Sequence, residues 1–245
     1  MDVVLLHGWP GAPSDYDPVL PLLDEGTHVL APDLFGPRHA DATADAFAAR
    51  VLEEAAAAGL ERPVLAGYDI GSRIAQAAAR TAPDRIAGLV ITPAYPGIGD
   101  RGFTADRAAE VWYQHFHRLP VADAVLDGNR DAVAGYLAHF WTRWAAREGL
   151  ATGAAFEAIV ERYVAPGAMA ASLAWYRQNR GYAADAPVSV PTTMLWPGAD
   201  PLFPREWADA LGDWFTDHEL LVLEDVGHFV PVEAPEPFAA AVRAR

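Results

Sequence analysis

The chain has 245 residues, of which 18 are basic and 33 acidic, so its formal net charge is −15. Hydrophobic residues make up 52% of the chain, which excludes a disordered protein, and the acidic surplus argues against nucleic acid or an anionic membrane as the main partner. Without cysteine, a disulfide framework, a thiolate metal site and a cysteine nucleophile are excluded. The acidic start resembles no signal peptide, and no run nears the ~20 apolar residues of a membrane span. We therefore expect a cytoplasmic protein, either a monomer or a homodimer.

Short apolar runs alternate with helical patterns over the first 95 residues. The runs typical of buried strands are 3–6, 28–30, 64–66 and 86–91. The predicted helices are 14–23, 43–60 and 71–82. Strands separated by helices pair in parallel through crossover connections, so this part of the chain predicts a doubly wound α/β sheet.

The pattern changes between residues 96 and 185, where aromatic residues recur at helical spacing and no strand run occurs. The alternation then resumes, with strands predicted at 192–196 and 220–223 and helices at 206–215 and 235–244. The sequence thus predicts a core split into 1–95 and 186–245, with a helical cap (96–185) inserted between the two parts. Ligand sites on such sheets lie beyond the carboxyl ends of the strands.

The segment Gly67-Tyr68-Asp69-Ile70-Gly71 joins a predicted strand directly to a predicted helix. A G-x-nucleophile-x-G turn at such a junction is typical of a nucleophile elbow. There the glycines permit a tight turn, and the central residue is held in strained geometry that exposes its side chain. Asp69 holds this central position. Its alternative role is that of a helix N-cap, because aspartate is a favoured capping residue.

Two further polar residues follow later predicted strands. Asp200 comes just after the strand at 192–196, and His228 comes just after the strand at 220–223. A nucleophile, an acid and a histidine in this chain order, each at the carboxyl end of a strand, can converge into a catalytic triad. Taken singly, Asp200 could be a turn residue and His228 an ordinary loop histidine. The three in order favour the triad.

With these residues the chain resembles the α/β-hydrolase family, in particular its branch with an aspartate nucleophile, which comprises epoxide hydrolases and haloalkane or haloacid dehalogenases. The string His7-Gly8-Trp9-Pro10-Gly11 is similar to the HGxP loop of the epoxide hydrolases. The resemblance implies a cis Trp9–Pro10 bond, an oxyanion hole made by the backbone N–H groups of Trp9 and Ile70, and no cofactor. The family normally has two strands before this loop, and this chain opens at the strand of the loop itself. We therefore expect a core without those N-terminal strands.

An aspartate at the elbow changes the reaction that a triad can perform. A carboxylate that attacks a saturated carbon leaves an ester, which water activated by a histidine can hydrolyse, whereas a serine would leave an ether that such water cannot cleave. Asp69 is ionised at neutral pH and needs no base for its attack. His228, oriented by Asp200, is then free to act as the general base on water. The expected electrophile is an sp³ carbon with a leaving group.

The leaving group distinguishes an epoxide from a halide. An epoxide oxygen stays attached and needs a proton, which a tyrosine hydroxyl can donate. The strings around Trp112-Tyr113 and Trp175-Tyr176 resemble the two cap segments that hold the paired tyrosines of bacterial epoxide hydrolases. The resemblance implies that Tyr113 and Tyr176 protonate the oxygen. The alternative is that both are packed cap aromatics, the commoner fate of a tyrosine beside a tryptophan.

We therefore interpret the sequence as that of an epoxide hydrolase, which converts a small-molecule epoxide to a vicinal diol without a cofactor or metal. Aromatic cap side chains suit an apolar, aryl-bearing substrate. The candidate substrate-binding residues are Trp112, Phe116, Phe140, Trp141 and Trp175. His115 and His117 do not predict a metal site, because side chains two residues apart point to opposite sides of a helix.

Two alternatives to this interpretation stay open. A haloalkane or haloacid dehalogenase would use the same triad, although haloalkane dehalogenases commonly have tryptophan where this chain has Ile70. Fluoroacetate dehalogenases have an Asp-Arg-Gly-x-Arg pattern at the elbow. This chain keeps the second arginine of the pattern, Arg73, but not the first. We expect Arg73 to form an ion pair on the helix surface. A catalytically inactive protein could also bind a ligand under the cap, but a binder has no need of a triad.

Overall fold

The computed structural model describes residues 1–35 and 41–245 of the chain. Within these residues, six strands form one sheet. The strands are β1 (Asp2–Leu6), β2 (His28–Leu30), β3 (Val64–Gly67), β4 (Gly88–Ile91), β5 (Thr192–Pro197) and β6 (His218–Leu223). Neighbouring strands pair in parallel in the order β2-β1-β3-β4-β5-β6, which confirms the predicted doubly wound sheet.

The inner strands of the sheet are buried. Every residue of β3, β4 and β5 is buried, and so are the last four residues of β1. Continuous apolar runs of this kind are typical of parallel strands covered on both faces. The edge strands β2 and β6 are largely exposed. The core is therefore centred on β1, β3, β4 and β5. The predicted site lies at the carboxyl edge of the sheet, after β1, β3, β5 and the edge strand β6.

In the described part of the chain before the cap, the core has two α-helices, α1 (Ala44–Ala57) and α2 (Ile70–Thr81). Thr43 caps α1, because its side chain accepts a hydrogen bond from the backbone N–H of Ala46. α2 begins within three residues of the end of β3 and packs against α1, β1, β3 and β4. Its first turn therefore lies at the carboxyl edge of the central strands.

Five α-helices lie between β4 and β5, a stretch that the structure describes throughout. They are α3 (Ala108–Phe116), α4 (Pro120–Leu126), α5 (Arg130–Arg143), α6 (Gly153–Val164) and α7 (Ala168–Gln178). The helices that follow are α8 (Leu211–Trp214), α9 (Val230–Glu233) and α10 (Pro235–Arg243). The helical insert is therefore confirmed, while its bounds at 96 and 185 stay a prediction. None of the described helices is long and apolar enough to cross a membrane.

The structure corrects two of the predicted helices. The segment 14–23 forms two 3₁₀ helices, Pro13–Tyr16 and Leu20–Leu22, instead of one α-helix. Pro18 between them explains the difference, because proline lacks the N–H donor that the interior of an α-helix needs. The second corrected segment, 206–215, is 3₁₀ in its first half and becomes α-helical only at α8.

Candidate active site

Asp69 lies at the sharp turn between β3 and α2. Its backbone has φ +50° and ψ −119°. Among the residues of the two described ranges, it is the only one other than glycine with a positive φ. This conformation is strained for an L-amino acid. The side chain of Asp69 lines a cavity to which the cap also contributes, so the turn presents the carboxylate where the elbow pattern predicts it.

Three glycines allow the chain to make this turn. A Cβ at Gly67 would lie 2.7 Å from the carbonyl carbon of Gly71, and a Cβ at Gly8 would lie 2.6 Å from the Cβ of Asp69. A Cβ at Gly71 would overlap the backbone carbonyl of Leu6, where α2 approaches β1. Because none of these positions has room for a side chain, glycine is required for the close approach of the turn to β1 and the HGxP-like loop.

Gly71→Ala is expected to lower the free energy of unfolding by about 3 kcal/mol, because the added methyl group must displace the backbone of β1 or α2. Gly135→Ala is the matched control. Gly135 is exposed within α5, an added Cβ there meets no atom within 4 Å, and alanine favours a helix over glycine by about 1 kcal/mol. Chemical denaturation measures both variants. A Gly71→Ala protein as stable as the wild type would contradict the tight packing of the turn.

The Asp69 carboxylate lies against two backbone N–H groups. Trp9 donates a hydrogen bond to Oδ2 over 2.9 Å, and the N–H of Ile70 is near enough to lower the pKa of the carboxyl group. These are the two groups predicted to form an oxyanion hole, and the Trp9–Pro10 bond is cis, as predicted. An N-cap would accept from the second or third N–H of α2, and the Asp69 side chain makes no such capping bond. The geometry therefore favours the elbow over the capping role.

His228 and Asp200 lie beyond the carboxyl ends of β6 and β5, close to Asp69. His228 Nδ1 is 2.8 Å from Asp200 Oδ2, and His228 Nε2 is 3.9 Å from Asp69 Oδ1. Asp200 Oδ1 accepts a hydrogen bond of 2.8 Å from the backbone N–H of Leu202, which fixes the carboxylate. Among the described residues, the buried Nε2 of His228 has no hydrogen-bond partner. The structure therefore places the three predicted triad residues in a row, with the imidazole between the two carboxylates.

The pKa of Asp69 and the pKa of His228 are both raised, for different reasons. Burial raises the pKa of Asp69, and the charge of His228 and the N–H groups of Trp9 and Ile70 oppose the rise. Burial alone would lower the pKa of His228, but the charge and hydrogen bond of Asp200, together with the charge of Asp69, more than offset it. The pKa of His228 is therefore above its usual value. This is the arrangement in which a carboxylate orients an imidazole and stabilises its protonated form.

Tyr113 on α3 and Tyr176 on α7 line the same cavity as Asp69. Both are buried, and their ring centroids are 5.8 Å apart. The indole of Trp9 stacks on Tyr113 and meets Tyr176 edge-on, with 5.7 Å between centroids in each pair. Burial raises the pKa of both tyrosines well above the usual value, and the charge of Asp69 adds to the rise. The Asp69 carboxylate and the two protonated hydroxyls therefore line the same cavity.

This cavity, the Asp69 cavity, has a volume of about 100 Å³ and lies between the carboxyl ends of the strands and the cap. Its apolar wall consists mainly of Ile98, Phe103, Val111, Trp175, Leu202, Phe203 and Trp207. The polar side chains that line it, besides Asp69, Tyr113 and Tyr176, are Arg73, Asp100, Gln114, Asn179 and Tyr182. The cavity is therefore mostly apolar, with polar side chains contributed by the elbow, α3, α7 and the segments next to them.

One of the five aromatic residues predicted to bind substrate lines the Asp69 cavity. That residue is Trp175, whereas Trp112, Phe116, Phe140 and Trp141 do not line it. Trp112 is 39% exposed and stacks on Phe140, which packs in turn against Trp9. Trp141 stacks on Phe229 with 3.9 Å between the ring centroids. The prediction for these four is corrected. Helical spacing identified them as a packed cluster, and this cluster joins the cap helices to one another and to the core instead of lining the cavity.

Some residues of the cavity wall were not predicted from the sequence. Phe203 and Trp207 follow β5, and the only signal for them is that they come shortly after Asp200 at the carboxyl end of a strand. Arg73 was expected to form an ion pair on the helix surface. Instead it lines the cavity and donates a hydrogen bond to the backbone carbonyl of Gly181. The prediction is wrong because α7 and the segment after it cover this side of α2.

Comparison with known proteins identifies the family. Residues 3–235 match the family model described as the alpha/beta hydrolase fold, and the chain therefore belongs to that family. The enzyme 2-succinyl-6-hydroxy-2,4-cyclohexadiene-1-carboxylate synthase of Pectobacterium atrosepticum is 32% identical over 142 residues, which span 54% of this chain and 54% of that relative. This match thus covers about half of the relative. A pimeloyl-[acyl-carrier protein] methyl ester esterase of Aromatoleum aromaticum is 27% identical over 98% of this chain and 96% of the esterase.

Solved structures with a similar fold include epoxide hydrolases. A presumed epoxide hydrolase from Klebsiella pneumoniae has a TM-score of 0.86 at 26% identity, and the match covers 100% of this chain and 89% of the Klebsiella chain. The juvenile hormone epoxide hydrolase of the silkworm Bombyx mori has a TM-score of 0.81 at 20% identity and covers 100% of this chain and 68% of its own. The second likeness is one of fold alone. The family is therefore shown, and the reaction has to be argued from the site.

Proposed function

We propose that this protein is an epoxide hydrolase, which converts an epoxide to a vicinal diol through a covalent ester on Asp69. The observation that carries the proposal is the composition of the Asp69 cavity, where the carboxylate at the strained turn accompanies the hydroxyls of Tyr113 and Tyr176. A halide leaves as an anion and needs no proton, whereas the oxygen of an opened epoxide takes one up. Two buried, protonated hydroxyls beside one carboxylate fit the epoxide.

In the first step, Asp69 forms a bond to one epoxide carbon while the bond from that carbon to the ring oxygen breaks. Oδ2 accepts the hydrogen bond from Trp9, so Oδ1 is the oxygen available for the attack. Tyr113 and Tyr176 hydrogen-bond the ring oxygen and supply the proton that it takes up. Their raised pKa keeps both protonated until the ring oxygen gains alkoxide character and becomes the stronger base. The product of this step is a hydroxyalkyl ester of Asp69.

In the second step, His228 removes a proton from a water molecule that attacks the carbonyl carbon of the ester. The 3.9 Å between Nε2 and Asp69 Oδ1 is too long for a direct hydrogen bond and leaves the nitrogen free to bind water. Asp200 holds the ring through Nδ1 and stabilises its positive charge. The N–H groups of Trp9 and Ile70 then stabilise the negative charge that develops on the ester carbonyl oxygen. When this intermediate breaks down, the bond between the carbonyl carbon and the diol oxygen breaks, and that oxygen takes the proton held by His228. The second proton of the water molecule returns to the tyrosine that donated in the first step, and the carboxylate is restored.

A haloacid dehalogenase is the second candidate, because Arg73 lines the cavity and a guanidinium can bind the carboxylate of a haloacid. It would form the same kind of ester on Asp69. The hydroxyls of Tyr113 and Tyr176 would have no proton to deliver in that reaction, which makes it the weaker proposal. Assays of bromide release from bromoacetate and of diol formation from terminal epoxides separate the two functions.

The test of the proposed function follows oxygen-18 from water during one turnover with enzyme in excess. The diol from this first turnover is expected to be unlabelled, because its oxygens come from the epoxide and from Asp69. The label is expected in the proteolytic peptide that contains Asp69, and the peptide that contains Asp200 serves as the unlabelled control. A labelled diol from an enzyme whose Asp69 peptide stays unlabelled would show direct attack by water and exclude the ester.

A further inference from the structure

Arg73 lies one helical turn after Asp69 on α2 and lines the Asp69 cavity. Its guanidinium carbon is 4.5 Å from the ring centroid of Tyr182 and 5.2 Å from that of Trp175. Both rings belong to the cavity wall. The cation is therefore held between two aromatic faces, at the same end of α2 as the carboxylate that is proposed to react.

The guanidinium of Arg73 uses few of its five N–H donors. Nη2 donates to the backbone carbonyl of Gly181 over 2.9 Å, while Nε is buried and has no hydrogen-bond partner among the described residues. Two other partly buried arginines bind carboxylates, since Arg162 pairs with Asp33 and Arg177 with Asp123. No ion pair between Arg73 and a described carboxylate forms within 4.0 Å. Leaving a cation unpaired in a largely apolar wall costs free energy that a bound anion would offset.

Two carboxylates of the cavity affect how an anion would be attracted to Arg73. Asp69 is near enough to favour the charged form of Arg73, although burial lowers the pKa of the guanidinium overall. The Asp69 carboxylate accepts a hydrogen bond from the backbone of Trp9 and not from Arg73. The second carboxylate, Asp100, is exposed where it lines the cavity. An anion that enters the cavity is therefore repelled by Asp69 and Asp100 and attracted to the α7 side, where Arg73 lies.

We propose, on the basis of the proposed function, that the natural substrate is an epoxide that carries a carboxylate, and that Arg73 determines this specificity by binding it. A guanidinium and a carboxylate form charge-assisted, commonly paired hydrogen bonds, and the aromatic faces of Trp175 and Tyr182 hold the guanidinium plane in place. Binding at Arg73 would position the epoxide with its ring toward Asp69 and its acid toward α7. A neutral epoxide would leave the cation without an anionic partner in the cavity.

The test compares pairs of epoxides that differ in charge and little in shape. Each pair consists of an epoxyalkanoate, with a methylene chain of varied length between the ring and the carboxylate, and its primary amide. The enzymes are the wild type, Arg73→Gln, Arg73→Lys and Arg180→Gln. Arg180 is exposed and lines a neighbouring groove but not the Asp69 cavity, so Arg180→Gln is the matched control for a lost charge. Thermal melting checks that each variant is folded.

The wild type is expected to prefer the best carboxylate over its amide by about tenfold or more in kcat/KM, the range of a charge-assisted hydrogen bond. Arg73→Gln is expected to bring this ratio close to one, mainly by raising KM for the carboxylate. Arg73→Lys should keep part of the preference and Arg180→Gln all of it. A wild type without the preference, or an Arg73→Gln protein that keeps the wild-type ratio, would overturn the proposal. The latter result would show that a group other than Arg73 recognises the carboxylate of the substrate.

Unreactive analogues separate this proposal from the proposed function. Cyclopropane carboxylates of matching length, and their amides, cannot be opened, and their binding is measured by the change in tryptophan fluorescence, because Trp175 lies against Arg73. One outcome is that Arg73→Gln binds the cyclopropane carboxylate about tenfold more weakly than the wild type, while no epoxide is turned over. This outcome would support the carboxylate site and reject the proposed function. If epoxides are turned over but the carboxylate and the amide bind equally well, the proposed function is supported and the carboxylate site is rejected.

Discussion

Replacing His228 by glutamine is expected to stop the reaction after the first step, with the substrate bonded to Asp69. Glutamine cannot act as a general base at neutral pH, and loss of such a base lowers a rate by about 10²–10⁴-fold. The first step needs only the carboxylate and a proton donor, so it should continue. Intact-protein mass spectrometry is expected to show an increase equal to one whole epoxide molecule, because the ring oxygen stays attached to the carbon chain.

The control for this variant is His218→Gln, which changes a histidine on the exposed edge strand β6. It should turn over normally and carry no adduct. A double variant with His228→Gln and Asp69→Asn should carry no adduct either, since an amide is a poor nucleophile. A His228→Gln protein with wild-type kcat would contradict the role of the imidazole. One that is inactive but free of adduct would contradict the order of the two steps.

The candidate site was largely predictable because its parts are encoded in short, punctuated segments. The turn at Asp69 is fixed by the glycines on either side of it, which leave no room for a Cβ. Asp200 and His228 each follow a strand, and parallel strands bring their carboxyl ends to one edge of the sheet. The chain order of the three residues therefore predicted their proximity, and the structure has His228 within 3.9 Å of Asp69.

The cavity wall was less predictable because it depends on the rotation of each cap helix and on how the cap lies on the core. Helical spacing identifies an aromatic cluster on α5 but does not show which side of the helix faces the cavity. Phe140 and Trp141 are adjacent and both buried, yet neither lines the Asp69 cavity. Arg73 has the sequence context of a surface residue, and its burial follows from contacts with Trp175 and Gly181, more than 100 residues away along the chain.

The second large effect is expected from Tyr113→Phe combined with Tyr176→Phe, which should abolish the opening of epoxides. Without either hydroxyl, the ring oxygen has to leave as an alkoxide in a largely apolar cavity, where a free charge is costly. Each single variant should lower the rate of ester formation by about 10²-fold or less, because the remaining hydroxyl can still donate. The double variant should lower it by about 10⁴-fold. The measurement is the rate of adduct formation in the His228→Gln background, which isolates the first step.

Two other cap-side tyrosines make this test specific. Tyr136 has its hydroxyl 2.7 Å from His117 Nε2 and does not line the Asp69 cavity, so Tyr136→Phe should leave the rate of ester formation unchanged. Tyr182 does line the cavity, but its hydroxyl is 2.7 Å from both Arg80 and Gln76 and is already engaged. If the double variant still opens epoxides, the proton comes from another donor, and Tyr182→Phe identifies or excludes that one. The double variant could instead fail to open epoxides and still release bromide from bromoacetate. Asp69 would then be alkylated without a proton donor, and the paired hydroxyls would serve the epoxide oxygen alone.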